Sequence, residues 1–174
     1  MLASGGVIAY PTEAVWGLGC APGNKVAVDR LLALKQRDVG KGMILVAANV
    51  DQLSPYLQGL SAAQRKTLEK SWPGPVTWLV PDNGSAPPWI RGNHDSLALR
   101  VSNHPIVIGL CRAFNDAIVS TSANPQGRPP ARSALRVRHY FHDQLDFITP
   151  GSVGKGARPS EIRDLITGAV KRPG

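Results

Sequence analysis

Seven short apolar runs rich in β-branched and aromatic residues punctuate the chain, with helix-patterned stretches between them. The runs are "GVIAY" (6–10), "MILVA" (43–47), "VTWLV" (76–80), "LALRV" (97–101), "AIVST" (117–121), "DFIT" (146–149) and "RDLIT" (163–167). The helical stretches are 26–35, where Ala27, Leu31 and Leu34 recur at i, i+4 and i+7, then 61–71, 106–115 and 131–141. Short strands must be covered by other elements, and interleaved helices supply that cover, so the pattern predicts an α/β chain with a mixed sheet. At 174 residues one domain, 1–174, can bury roughly 70% of its unfolded surface. The most loop-like stretches, 82–96 and 151–160, are neither long nor uniform enough to be linkers. The first strand begins within six residues of Met1, so its edge is expected to lack a preceding helix as cover.

Several function classes are excluded at this level. Cys20 and Cys111 lack paired metal-ligand spacing and suit a reducing compartment. The start "MLASGGVIAYP" has no basic leader, and the longest apolar run, "MILVAA" at 43–48, falls far short of the ~20 residues of a membrane span. A soluble, cytoplasmic protein is expected. No GxxxxGK[ST] loop is present, no GxSxG elbow surrounds Ser122, and His139 and His142 at i, i+3 lack a third ligand, so no metal ligands are assigned. Net charge is +8, with eight cations against six anions up to residue 87 and twelve against six beyond it. Such a basic surface attracts nucleic acid, nucleotides or other polyanions, and a solvated face is the plain alternative.

Three stretches concentrate chemistry. In "AIVSTSANPQG" (117–127) a strand runs into four polar side chains before Pro125 and Gly127 break it. If the end stays extended, Ser120, Ser122 and Asn124 share one face, and Thr121 and Ala123 the other. In "YPTEAVWGLG" (10–19) Pro11 halts the first strand, Thr12 and Glu13 follow, and Gly17 and Gly19 permit close backbone approach. Ligands of open α/β sheets sit beyond strand ends, although a helix-capping Thr12 accounts for the residues equally well. In "LKQRDVGKG" (34–42) the helix should end near Leu34, placing Lys35 and Arg37 on one side of an extended segment where, with Lys41, they form a cationic clamp. A basic last helical turn is the alternative. The glycines and Lys155 of "GSVGKGARPS" (151–160) offer a weaker phosphate nest.

Taken together, "YPTEAVWGLG", "LKQRDVGKGMIL", "WPGPVTWLVP", "LALRVSNHP", "STSANPQG" and "PSEIRDLITG" follow the order and spacing of the YrdC-like family, which the chain resembles over nearly its whole length in the short bacterial form. The resemblance implies a twisted, open, mixed α/β sheet with flanking helices around a large basic cavity, a fold shared with dihydroxybutanone-phosphate synthase. It implies synthesis of threonylcarbamoyl-AMP and pyrophosphate from ATP, L-threonine and bicarbonate with Mg²⁺. The product feeds downstream tRNA threonylcarbamoyl-transferase proteins at adenosine 37 of tRNAs reading codons that begin with A. The family's Lys-x-Arg and Ser-x-Asn pairs fall on Lys35, Arg37, Ser122 and Asn124 as catalytic residues, and Thr12, Lys41, Arg100, Thr121 and Ser160 join the substrate and nucleotide contacts.

The sequence departs from the family pattern where Asp38 and Gly42 stand in place of prolines. A more flexible loop and an added anion near the phosphates are therefore expected, with segment 36–42 as the closing loop. Trp16 stands where Tyr or Phe is usual, and the helix that the family places before the first strand is expected to be absent. Two other readings stay open: a tRNA- or double-stranded-RNA-binding module without catalysis, and a sugar-phosphate enzyme, which would need acidic metal ligands that the sequence does not offer.

Overall fold

The computed structural model describes residues 1–156 and 159–174. Its nine strands are β1 (Ile8–Pro11), β2 (Trp16–Gly19), β3 (Ile44–Ala47), β4 (Val76–Pro81), β5 (Ser96–Val101), β6 (Ile118–Ser122), β7 (Phe147–Ile148), β8 (Glu161–Asp164) and β9 (Val170–Arg172). They form one mixed sheet in the order β7-β1-β2-β6-β3-β5-β4-β8-β9. The helices are α1 (Lys25–Lys35), α2 (Ala62–Glu69), α3 (Pro88–Arg91), α4 (Pro105–Phe114) and α5 (Ala134–Phe141). Local chemistry sets their starts: Asn24 caps α1 through the Ala27 N–H, Ser61 and Gln64 form a capping box on α2, and Ser133 caps α5.

Strand alternation divides the core in two. Val7, Ala9, Leu45, Ala47, Leu97, Leu99 and Val119 point into the larger cluster with side chains of α1, α2 and α5. On the opposite face Ile8, Tyr10, Val46 and Ile118 pack against Val107 and Cys111 of α4. β5 shows the division in its pattern: Leu97, Leu99 and Val101 are buried, whereas Ser96, Ala98 and Arg100 are half-buried on the other side. Among the described residues α1, α2, α3 and α5 thus contribute to one face, and α4 leaves part of the other concave and open.

Three strands, one helix and one edge differ from the sequence expectation: α3 stands inside 82–96, the stretch read as most loop-like. β2 lies within "YPTEAVWGLG", because Thr12–Val15 is a hairpin turn rather than a strand-to-helix connection, with the Thr12 N–H and hydroxyl both donating to the Val15 carbonyl. The last strand expected, 163–167, sits earlier at β8, and β9 pairs antiparallel with it. β1 is no bare edge, since β7 pairs parallel with it at Ile8 and Ala9.

Candidate active site

The open part of the α4 face is a cavity of about 400 Å³. Its floor is the alternate residues Ile44 and Val46 of β3, Thr77 and Leu79 of β4, Ala98 and Arg100 of β5, and Ser120 and Ser122 of β6. The Thr12–Val15 turn closes one side, and Arg37, Lys41 and Gly42 another. Of the sequence-derived candidates, Thr12, Arg37, Lys41, Arg100, Thr121, Ser122 and Ser160 converge here, while Lys35 and Asn124 are not among the lining residues.

Lys35 departs from the clamp geometry for a backbone reason. α1 continues through Lys35, and Gln36 then adopts a left-handed conformation, φ 53°, so the two basic residues do not lie on one extended segment. Lys35, only 5% exposed, donates from Nζ to the carbonyls of Ser122 and, at 2.9 Å, Asn124. Burial and the charge of Arg37 push its pKa down to about 8. Arg37 does face the cavity. Its Nη2 donates to the Gly42 carbonyl at 3.0 Å, its Nε is buried without a partner, and burial lowers its pKa.

The two departures from the family pattern act differently from expectation. Asp38 lies outside the cavity lining and caps a short turn, its Oδ1 accepting from the Gly40 N–H at 2.6 Å. Gly42, at φ +61°, sits where an added Cβ would meet the Arg91 carbonyl oxygen at 2.7 Å, a conformation closed to proline with its fixed negative φ. The segment is tied down as well, with Met43 N–H bonded to the Ile90 carbonyl and Asn93 N–H to that of Gly40. Gly42 therefore permits close packing rather than a looser loop.

At the end of β6, Ser120 and Ser122 hold the cavity face that alternation assigns them. Thr121, which shares the face of Val119, also borders the cavity. Asn124 turns away: Nδ2 donates to the carbonyls of Pro125 (3.1 Å) and Arg128 (2.7 Å), and Oδ1 is buried without a partner. Across the cavity, Ser160 and Thr77 share a buried hydroxyl–hydroxyl bond of 2.9 Å.

The structure adds four residues that sequence reasoning left without a site role. The Glu13 Oε1 accepts from the buried Ser102 hydroxyl at 2.6 Å and lies 2.8 Å from Arg100 Nη2, a charge contact outside good hydrogen-bond angles. Arg100 is further held by its Nε donating to the Gly74 carbonyl at 2.9 Å. Arg172, on β9, donates to the Ser160 carbonyl at 2.8 Å, and partial burial with the charges of Arg100 and Arg37 lowers its pKa. Thr77 completes the set. The signal for Glu13 was its place beside Thr12, whereas Ser102, Thr77 and Arg172 carried none without the strand pairing.

The glycine loop does not act as a phosphate nest. Gly154 and Gly156 direct their N–H groups to the carbonyls of Thr12 and Glu13 at 2.9 and 2.8 Å. A Cβ on Gly156 would meet the Glu13 oxygen at 2.7 Å, so the loop buttresses the hairpin turn. Ala157 and Arg158 of that loop lie outside the described residues. His139 and His142 are exposed on and just after α5. Among the described residues no three His, Cys, Asp or Glu side chains group as metal ligands, and no helix is long and apolar enough to cross a membrane.

Comparison with known proteins agrees with this architecture. The Sua5/YciO/YrdC family model, described as "Telomere recombination", matches residues 1–174. A threonylcarbamoyl-AMP synthase of Cellvibrio japonicus is 60% identical over 173 residues, covering 99% of this chain and 92% of that protein. One from Pseudomonas aeruginosa is 57% identical over 169 residues, covering 97% and 91%. Among solved structures, P. abyssi Sua5 complexed with L-threonine superposes with TM-score 0.92 at 29% identity, covering 99% of this chain. This chain spans about half, 52%, of that longer protein. E. coli YciO superposes with TM-score 0.87 at 25% identity, covering 99% of this chain and 85% of that one.

Proposed function

Because the chain belongs to the Sua5/YciO/YrdC family, we propose that it is a threonylcarbamoyl-AMP synthase acting in tRNA modification, a nucleotidyltransferase that joins L-threonine, bicarbonate or CO2, and ATP. One observation carries the reading: Arg37, Arg100 and Arg172, from three separate segments, converge on one cavity floored by the hydroxyl-bearing end of β6. A non-catalytic RNA-binding module would need cations on its surface, not arginines drawn together over buried hydroxyls.

In the reaction the threonine ammonium first gives one proton to water, the freed nitrogen then bonds to the carbon of CO2, and a second proton leaves to water, giving a carbamate. A carbamate oxygen then bonds to the α-phosphorus of ATP as the bond to pyrophosphate breaks. The reactants are anionic, so positioning and charge neutralisation dominate and no protein nucleophile is required. Arg37 and Arg172, with Lys41 at the mouth, receive phosphate oxygens, and Arg100 receives the threonine carboxylate. Ser122, with Thr121 and Thr12 nearby, orients the carbamate and α-phosphate. Ser160 lines the opposite wall, bonded to Thr77 of the floor. Lys35 and Asn124 act at one remove, fixing the end of β6 and the loop after it. Mg²⁺ enters with ATP as part of the substrate, since among the described residues Glu13 is the one lining carboxylate, too few for a dedicated cage.

A specific surface supports direct RNA contact beside synthesis. From Ala117 to His142 the chain has no acidic residue, and Arg128, Arg132, Arg136 and His139 are exposed around a groove that shares Pro130 with the cavity. Among the described residues none of these arginines forms an ion pair with a carboxylate, leaving them for phosphates. A cytoplasmic site of action, with the product passed to a tRNA threonylcarbamoyl-transferase, accompanies this reading. Mass detection of threonylcarbamoyl-AMP, with pyrophosphate release that requires both L-threonine and bicarbonate, tests it. Release with ATP alone, unchanged by threonine, would replace it with a simple ATPase.

A further inference from the structure

We infer that Glu13 is the group that receives the α-ammonium of the amino-acid substrate and so selects an amino acid over a carboxylic acid lacking the amine. The inference rests on the reading above that the substrate is an amino acid.

Glu13 is the one carboxylate among the described lining residues of a cavity that Arg37, Lys41, Arg91, Arg100 and Arg172 also border. An ammonium brought among those five cations is repelled unless an anion meets it. Its side chain is 19% exposed. Oε1 serves Ser102 and Arg100, while Oε2 makes no hydrogen bond among the described residues. The position is built rather than incidental. Ser102, itself 1% exposed, is fixed by accepting from the His104 N–H at 3.0 Å, and the Glu13 carbonyl is held by the Gly156 N–H. Arg100 and Glu13 therefore present a cation and an anion 2.8 Å apart, the mirror of the carboxylate and ammonium on one amino-acid head group. Arg100 pairs with the carboxylate and Oε2 accepts from the ammonium, so both substrate charges leave water for opposite charges.

Competition calorimetry with L-threonine and 3-hydroxybutanoate, which keeps the carboxylate and hydroxyl but has hydrogen in place of the amine, tests the inference. Wild-type protein is expected to prefer L-threonine by about 30-fold or more, and Glu13→Gln to reduce that preference to about threefold. In the same variant the affinities for 3-hydroxybutanoate and ATP should stay within about threefold of wild type. Equal weakening of both acids in Glu13→Gln would overturn the inference, because it would show Glu13 serving only to position Arg100. Equal wild-type affinity for the two acids would overturn it as well, and that comparison decides the matter even if the variant fails to fold. Wild-type protein that binds neither acid overturns the amino-acid reading itself, and the inference falls with it.

Discussion

The ammonium of Lys35 donates to the main-chain carbonyls of Ser122 and Asn124, the latter at 2.9 Å, and so ties the last residue of α1 to the end of β6. The side chain that the motif marks as a phosphate clamp is a latch. It holds the strand end whose hydroxyls floor the cavity, and its neighbour Arg37 alone of the pair reaches the ligand space.

The latch has a pH signature. Lys35 titrates at about 8 in the folded chain against an ordinary 10.5, so through that interval the unfolded chain binds more protons and the stability contribution of Lys35 rises with pH. Below the interval both states are protonated and the contribution is flat. Between pH of about 7.5 and 10.5, the unfolding free energy of wild type relative to Lys35→Met should grow by about 2–3 kcal/mol. Denaturant titrations across that range check it, and a gap that narrows as pH rises would contradict the burial argument.

Arg37→Ala and Arg172→Ala should each lower kcat/KM for ATP by about 30-fold, or about 2 kcal/mol, since each leaves phosphate charge unpaired in a partly desolvated site. The double variant should lose less than the sum, because both groups serve one ligand. Steady-state kinetics at fixed salt decide, and strict additivity would place the two arginines on different groups.

Ser122→Ala and Asn124→Ala should separate. Loss of the Ser122 hydroxyl removes a cavity hydrogen bond and is expected to cut turnover about 10²-fold with the thermal midpoint nearly unchanged. Asn124→Ala removes two bonds to the loop carbonyls and should destabilise by about 1–2 kcal/mol, with faster amide exchange over 125–128. Turnover beside thermal midpoint for both variants is the measurement.

Thr77 and Ser160 are buried and bonded to each other, so removing either hydroxyl strands the other. Thr77→Val and Ser160→Ala should each cost about 1–2 kcal/mol, and the double variant should recover part of that loss. A double-mutant cycle by denaturant unfolding measures the coupling, which should be absent if each hydroxyl finds water instead.

Charge reversal in the groove, Arg132→Glu with Arg136→Glu, should weaken tRNA binding and lower the salt slope of log K by about 2, while leaving threonylcarbamoyl-AMP formation from small substrates unchanged. Filter binding across a salt series, beside the mass assay, reads both. An unchanged slope would remove the groove from the RNA path.

The α/β layout was legible because its signals are local. Short apolar runs and the recurrence of Ala27, Leu31 and Leu34 act within a few residues, and the alternation of 117–122 already placed Ser120 and Ser122 on one face. β2 and β9 were not legible. "WGLG" and "VKR" carry little strand character of their own, and pairing with β1 and β8 makes them strands. Even the proline-to-glycine change at 42 misled, since its reason, the approach of the Arg91 carbonyl, lies 49 residues away.

By itself, then, the sequence determined the order of the main strands and helices, the two faces of 117–122 and the residue types available for binding anions, because those follow from side-chain chemistry and backbone periodicity over short spans. Tertiary structure alone decided which charges meet. A left-handed residue at Gln36 sent Lys35 into the protein and Arg37 into the cavity, and strand pairing brought Arg100 beside Glu13 from 87 residues away. Burial then set the charge balance, since desolvation and Coulomb interaction depend on distance in space rather than distance along the chain.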